Sequence, residues 1–233
     1  MKKYIPNALT LLNLLCGSIA VVFVVNDDFI VASAMVFLGI FFDFFDGFAA
    51  RKLNLQSDLG IQLDSLADMV TSGLVPGLTM YKLLNTAYLS WGNLNIMPFL
   101  GLAITLASAY RLAKFNIDED QQTYFKGLPT PANTLLIMSL PLILEFQNND
   151  IIHNIILNQW VLIAVTLLSC WLLNSNIKLF ALKFKDYSFK ANATRYIFIL
   201  LCIVLLITLK FIAIPLIISL YITMSVLDRL TSK

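Results

Sequence analysis

Charged side chains are scarce in this chain: 13% of its 233 residues, where a soluble domain carries roughly a quarter. With 59% apolar residues and a mean hydropathy of +0.81, too little polar surface remains for a water-soluble globule. Histidine occurs once, as His153, at a predicted helix start remote from the other ionisable groups, which leaves no imidazole chemistry to build on. Cys16, Cys170 and Cys202 all lie in apolar runs with no metal-type spacing and read as small buried hydrophobes. No small-x-small cleavage site closes the first apolar run after Lys2 and Lys3, so that run reads as a first membrane helix and not as a removed segment. Repeats, low-complexity tracts and a soluble domain are all missing, and no nucleic-acid partner is expected.

What is present is apolar length. Eight candidate spans, at about 8–25, 29–51, 60–84, 94–114, 131–147, 151–175, 193–210 and 212–228, approach the roughly 20 residues needed to cross about 30 Å of hydrocarbon. The expected fold is an all-α integral membrane protein, one embedded domain over 1–233, in contact with the lipid bilayer. With the N-terminus in the cytoplasm and sides alternating, fourteen of the 16 basic residues fall inside, and only Lys82 and Lys210 fall outside. The positive-inside rule then puts both termini in the cytoplasm, in the plasma or inner membrane. The stretch 176–190 mixes lysines with Phe180, Phe184 and Tyr187 at helical spacing, which predicts an interfacial helix.

Against this background, residues 43–68 carry five aspartates. Asp43 and Asp46 are three apart and Asp64 and Asp68 four apart, so each pair shares one face of its helix. Antiparallel packing of the two helices would bring four carboxylates together at the cytoplasmic membrane edge. Carboxylates in an apolar bundle need compensation. Divalent cations that favour hard oxygen ligands, Mg²⁺, Mn²⁺ or Ca²⁺, supply it, and two of them form a clamp suited to phosphoryl chemistry. Asp58 reads as solvated or helix-capping. Charge and spacing alone also fit a water-filled path in an ion or proton transporter.

The spacing Asp43-x₂-Asp46-Gly47-x₂-Ala50-Arg51-x₈-Gly60-x₃-Asp64-x₃-Asp68 resembles, position for position, the motif of the CDP-alcohol phosphotransferases. Pro6-Asn7 at the head of PNALTLLNLLCG looks like the family's first helix. The block RLAKFN…FKGLPTPAN, from 111 to 133, is similar to the phosphatidylserine synthase branch, with Lys114 where that branch has arginine. The resemblance implies a six-helix core plus two C-terminal helices, a homodimer, and transfer of a phosphatidyl group from CDP-diacylglycerol to L-serine with release of CMP. It implies that Asp43, Asp46, Asp64 and Asp68 ligate two divalent ions and that Asp68 is the general base. Gly47, Ala50, Arg51 and Gly60 match nucleotide-contacting positions. Serine carries a carboxylate, so Arg111, Lys114 and Lys126 are the acceptor-site candidates. A sister enzyme acting on glycerol 3-phosphate or an inositol derivative is the neighbouring reading.

Overall fold

The structure is a computed structural model and describes residues 4–87, 96–117, 125–179 and 189–231. Helix α1 (Ile5–Val25) starts with Pro6 in its first turn, where a missing N–H costs nothing. Asp28 caps α2 (Phe29–Lys52) by accepting from the Val31 N–H at 3.1 Å, and Arg51 and Lys52 sit at its negative C-terminal end. Ser57 caps α3 (Asp58–Asp68) by accepting from Gly60 N–H, also at 3.1 Å. The cap is therefore Ser57; Asp58 takes the exposed first helical position, where its charge complements the helix dipole.

A π-helical turn, Met69–Leu74, carries α3 without a break into α4 (Val75–Ala87). A 3₁₀ turn, Met97–Leu102, opens α5 (Ala103–Ile117). Strand β1 (Phe125–Lys126) precedes α6 (Thr130–Phe146), and α7 (Asp150–Ile156) meets α8 (Gln159–Asn174) at a 59° bend. Strand β2 (Lys178–Leu179), α9 (Phe189–Leu209), a 3₁₀ turn and α10 (Ala213–Thr231) complete the order. β1 and β2 pair antiparallel, Phe125 opposite Leu179 and Lys126 opposite Lys178. The helix expected over 176–190 is thus corrected at its start, where 178–179 is extended because a backbone partner is available. Residues 180–188 lie outside the described residues.

Among the described residues three stretches are long and apolar enough to cross a membrane, Ile5–Val25, Phe29–Lys52 and Arg195–Leu227, and the bent pair α7–α8 makes a fourth if it is taken as one span. The third is not one straight rod. Phe198 and Tyr221 stack with ring centroids 5.7 Å apart, whereas 23 residues of straight helix would separate them by about 35 Å. The chain folds back at Lys210, which takes φ 52°, so α9 and α10 form a hairpin. The remaining expected spans are shorter or interrupted: α6 has 17 residues, and 60–84 contains the π-turn.

Contacts sort the helix ends into two groups. At one end Lys82 binds Asp27 and the Val25 carbonyl, and Gln147 donates to the Leu209 carbonyl. At the other, the head of α1 meets the α2–α3 connection, and the ends of α5 and α8 meet β1. The core between them is apolar: Ala20, Val36, Val75 and Met138 join α1, α2, α4 and α6, while Met80, Ile104, Ile137 and Leu162 join α4, α5, α6 and α8.

Gly127 seats the second end. Its φ of 73° lies in the left-handed region, and a Cβ there would come within 2.7–2.9 Å of the carbonyl oxygens of Leu173, Leu172 and Ser175. Gly127→Ala is expected to cost about 2 kcal/mol or more, read as a lowered thermal midpoint of the purified protein in detergent. An unchanged midpoint would show that the β1–α8 seam does not constrain this backbone.

Candidate active site

The sequence brings two acidic helix faces to one end of the bundle. Asp43 and Asp46 project from the last turns of α2, and Asp64 and Asp68 from α3. Ligand oxygens of Asp43, Asp46 and Asp64 lie within 4.8 Å of one another. Asp68 stands just outside this trio, with the Asp43 carboxyl as neighbour. Asp46 is buried and the other three are half-buried. Among the described residues, the one ion pair within 4 Å joins Asp27 and Lys82 at the opposite end, so none of the four aspartates is neutralised by direct contact with a cation. An all-oxygen, anionic, convergent donor set of this kind fits a hard divalent ion.

Helix α1 supplies what the motif does not. Thr10 Oγ1 donates to Asp46 Oδ2, and Asn13 Nδ2 donates to Asp68 Oδ1 at 3.2 Å. These two hydrogen bonds leave the other carboxylate oxygens for a ligand and fix the orientation of one aspartate from each helix. Asn7, Thr10 and Asn13 recur every three residues in an otherwise apolar helix, a polar stripe legible in the sequence but not singled out there.

Beside the trio a cavity of about 270 Å³ opens between α1, α2 and α3. Gly47, Ala50, Arg51 and Gly60 all line it, together with Asp46 and Asp64. Its remaining walls, which include Pro6, Asn7 and Thr10 from α1 and Gln56 and Ser57 from the connecting loop, were not predicted. Gly47 lies against Arg51, whose Nη1 is 3.6 Å from where a Cβ at 47 would stand, an ordinary contact distance. The pocket thus carries carboxylates at one side and an exposed guanidinium at the other. It can take a ligand that is anionic where it meets cations and bulky beyond.

Arg111, Lys114 and Lys126 also come together, around a second cavity of about 20 Å³ that they share with Leu173, Asn174, Ser175 and Asn176. Arg111 is buried, and its Nη1 donates to the carbonyls of Lys126 at 2.9 Å and Leu173 at 3.0 Å, joining β1 to the C-terminal end of α8. Asn116 turns the other way: its Nδ2 donates to Ser65 Oγ at 2.9 Å, tying α5 to α3 directly beside Asp64. At 100° per residue the Arg111 and Asn116 faces of α5 are about 140° apart. Ser65 was not anticipated, because a lone serine in a helix carries no signal by itself. His153 sits by the Gln147 carbonyl, 2.7 Å away, at the end opposite the aspartates.

Comparison with known proteins agrees with this geometry. Residues 3–172 match the family model described as CDP-alcohol phosphatidyltransferase, a range that holds Asp43, Asp46, Asp64 and Asp68 and both cavities except Leu173 to Asn176. The CDP-diacylglycerol–serine O-phosphatidyltransferase of Bacillus subtilis (strain 168) is 37% identical over 154 residues, covering 64% of this chain and 80% of the relative. The protein of that name from Methanocaldococcus jannaschii is 31% identical over 154 residues, covering 65% of this chain and 66% of the relative. In Helicobacter pylori (strain J99) the corresponding protein is 30% identical over 135 residues, with 57% and 55% covered. The chain therefore spans less than two thirds of the length of the latter two. The match runs through α1 to α8, the part of the fold that builds both cavities, and on that match the chain belongs to the CDP-alcohol phosphatidyltransferase family.

Proposed function

We propose that this protein transfers the phosphatidyl group of CDP-diacylglycerol to the hydroxyl of L-serine, giving phosphatidylserine and CMP. The observation that carries the reading is the convergence of Asp43, Asp46 and Asp64 beside a cavity lined by Gly47, Ala50, Arg51 and Gly60. The relatives named CDP-diacylglycerol–serine O-phosphatidyltransferase support the donor and the acceptor. In this reading Asp43, Asp46, Asp64 and Asp68 hold two divalent ions, Mg²⁺ or Mn²⁺. When bound, these ions neutralise the donor's diphosphate and stabilise charge on the attacking and leaving oxygens.

The chain's own residues do the rest. The cytidine end of the donor lies along Gly47, Ala50 and Gly60, whose small size admits it, and Arg51 pairs with phosphate oxygen. Asp68, held by Asn13 through one oxygen, accepts the serine hydroxyl proton with the other. A bond forms between serine Oγ and the phosphorus that bears the diacylglycerol. The bond from that phosphorus to the bridging oxygen breaks, CMP leaves with that oxygen, and the proton passes from Asp68 to water. Arg111, Lys114 and Lys126 supply the pole for the serine carboxylate. Arg111 acts through Nε and Nη2, since Nη1 is engaged by two carbonyls, and Lys114 is exposed on a flexible stem.

Placed in a membrane, the chain crosses it eight times as one domain, with both termini and the aspartate end in the cytoplasm, and the protein pairs as a homodimer. The donor's acyl chains then stay in lipid while its nucleotide faces the cytoplasm.

Several measurements test this reading. Asp64→Asn is expected to insert and purify normally while turnover falls by about a thousandfold or more, as loss of a transition-state ligand should; EDTA should stop the parent enzyme and Mn²⁺ or Mg²⁺ restore it. An active Asp64→Asn protein ends the di-metal reading. In parallel assays with CDP-diacylglycerol, a divalent metal and either serine, glycerol 3-phosphate or inositol 1-phosphate, CMP release is expected with serine alone. Lys114→Ala should raise the serine KM about tenfold with the donor KM unchanged, the size of one lost charge-assisted contact. Release driven by glycerol 3-phosphate would move the protein to the sister reaction. For orientation, a cysteine replacing Asn54 should react with an impermeant thiol reagent from the cytoplasmic side only, and one replacing Asn149 from the outer side only; the reverse pattern would invert the topology.

A further inference from the structure

The π-helical turn Met69–Leu74 begins at the residue after Asp68. A π-turn adds one residue to a helix and so rotates everything before it by about 100° relative to everything after it. That rotation matters here. In an unbroken α-helix the shared face of Asp64 and Asp68 would lie roughly 100° from the face of α4 that Pro76, Met80 and Leu83 bury. With the extra residue the two faces line up, so α4 keeps its apolar face in the core while α3 turns its aspartates toward α1 and α2.

A π-turn is less favourable than α-helix and persists where its surroundings hold it. Three hydroxyls from its own sequence and from two neighbouring helices do so. Thr71 Oγ1, within the turn, donates to the Asn13 carbonyl of α1 at 3.1 Å. Thr105 Oγ1 of α5 donates to the Gly73 carbonyl at 3.1 Å. Thr134 Oγ1 of α6 lies 2.9 Å from the Ser72 carbonyl and 2.9 Å from its own helix's Thr130 carbonyl, and its single hydrogen is shared between them. The Ser72 and Gly73 carbonyls are thus bound from outside their own helix. Thr71, Thr134 and Ser72 are fully or almost fully buried, so these bonds form where water does not compete.

The neighbouring backbone leaves space for the hydroxyls. A Cβ on Gly17 of α1 would overlap Thr71 Oγ1, and a Cβ on Gly77 of α4 would overlap Thr105 Oγ1. Asn13 closes the circuit: its carbonyl receives Thr71 while its side-chain amide donates to Asp68 at 3.2 Å. One residue of α1 therefore holds both the turn and the carboxylate that precedes it.

We propose that Thr105 and Thr134, neither of which contacts an aspartate, are positioning residues: by holding the π-turn they set the rotation of α3 that presents Asp64 and Asp68 to the metal. The proposal rests on the metal reading above and deepens it.

The test uses the full chain purified in detergent. Mn²⁺ binding without substrate is followed by the electron paramagnetic resonance signal of free Mn²⁺, alongside the thermal midpoint and kcat. The parent protein is the control for the metal reading itself: if it binds no Mn²⁺, that reading fails before the threonines are considered. Thr105→Val and Thr134→Val, which exchange hydroxyl for methyl at nearly constant shape, should weaken Mn²⁺ binding by about tenfold or more, as loss of an outer support does at metal sites. They should lower kcat at saturating metal by a similar factor. Thr105→Ser and Thr134→Ser, which keep the hydroxyl, should restore both. Valine variants that only melt earlier, with Mn²⁺ affinity and kcat intact, would reduce the threonines to packing residues and overturn the proposal. Failure of both valine variants to accumulate as folded protein would overturn it as well, by assigning the hydroxyls to folding.

Discussion

Four carboxylates held close together in an apolar bundle repel one another, and the local architecture is arranged around that repulsion. Among the described residues no cation within 4 Å relieves it, and Asp46 and Asp68 each accept from a neutral donor on α1. Neutral donors orient carboxylates without cancelling their charge. That combination keeps an anionic site ready for a cation which the chain itself does not provide. A salt-bridged version of the same cluster would be easier to bury and useless for binding a metal.

The aspartate motif and the alternation of apolar runs were legible because each depends on local spacing. Three- and four-residue intervals place carboxylates on one helix face whatever surrounds the helix. The all-α character follows for the same reason, since the apolar runs end at polar breaks. The π-turn was not legible. Met69 to Leu74 contains nothing that distinguishes it from α-helix, and its hydrogen bonds to Thr105 and Thr134 come from residues more than thirty positions away. Pairing of 178–179 with 125–126 escaped for the same reason: a two-residue ladder is decided by which backbone happens to be in reach.

Arg111 illustrates a different limit. Its residue type and its place in the chain suggest recognition of a carboxylate, yet its Nη1 serves the end of α8, where a cation also offsets the helix dipole. Sequence names the cation but not how its donors are divided. A guanidinium with five N–H groups can brace a seam with one nitrogen and meet an anion with the others, which a lysine could not do. Its loss would therefore disturb the seam and the cavity together, whereas Lys114, exposed and unburdened by the seam, separates the two.

The last turns of α2 have to satisfy two solvents. Asp43 is half-buried and Asp46 buried toward α1 and α3, while Phe41, Phe44, Phe45 and Phe48 stay exposed on the outside of the same turns. Phe41 and Phe45 stack at 4.5 Å, and Phe44 meets Phe45 edge-on at 5.5 Å, so the outer face is a continuous aromatic surface suited to lipid. An aromatic face and an acidic face back to back on one helix suit a boundary where hydrocarbon ends and water begins. Deeper, the carboxylates would lose their access to ions and nucleotide; further out, the phenylalanines would lose the lipid that makes their exposure tolerable. A donor with acyl chains at one end and a charged nucleotide at the other has the same requirement, and it fits a helix built in this way.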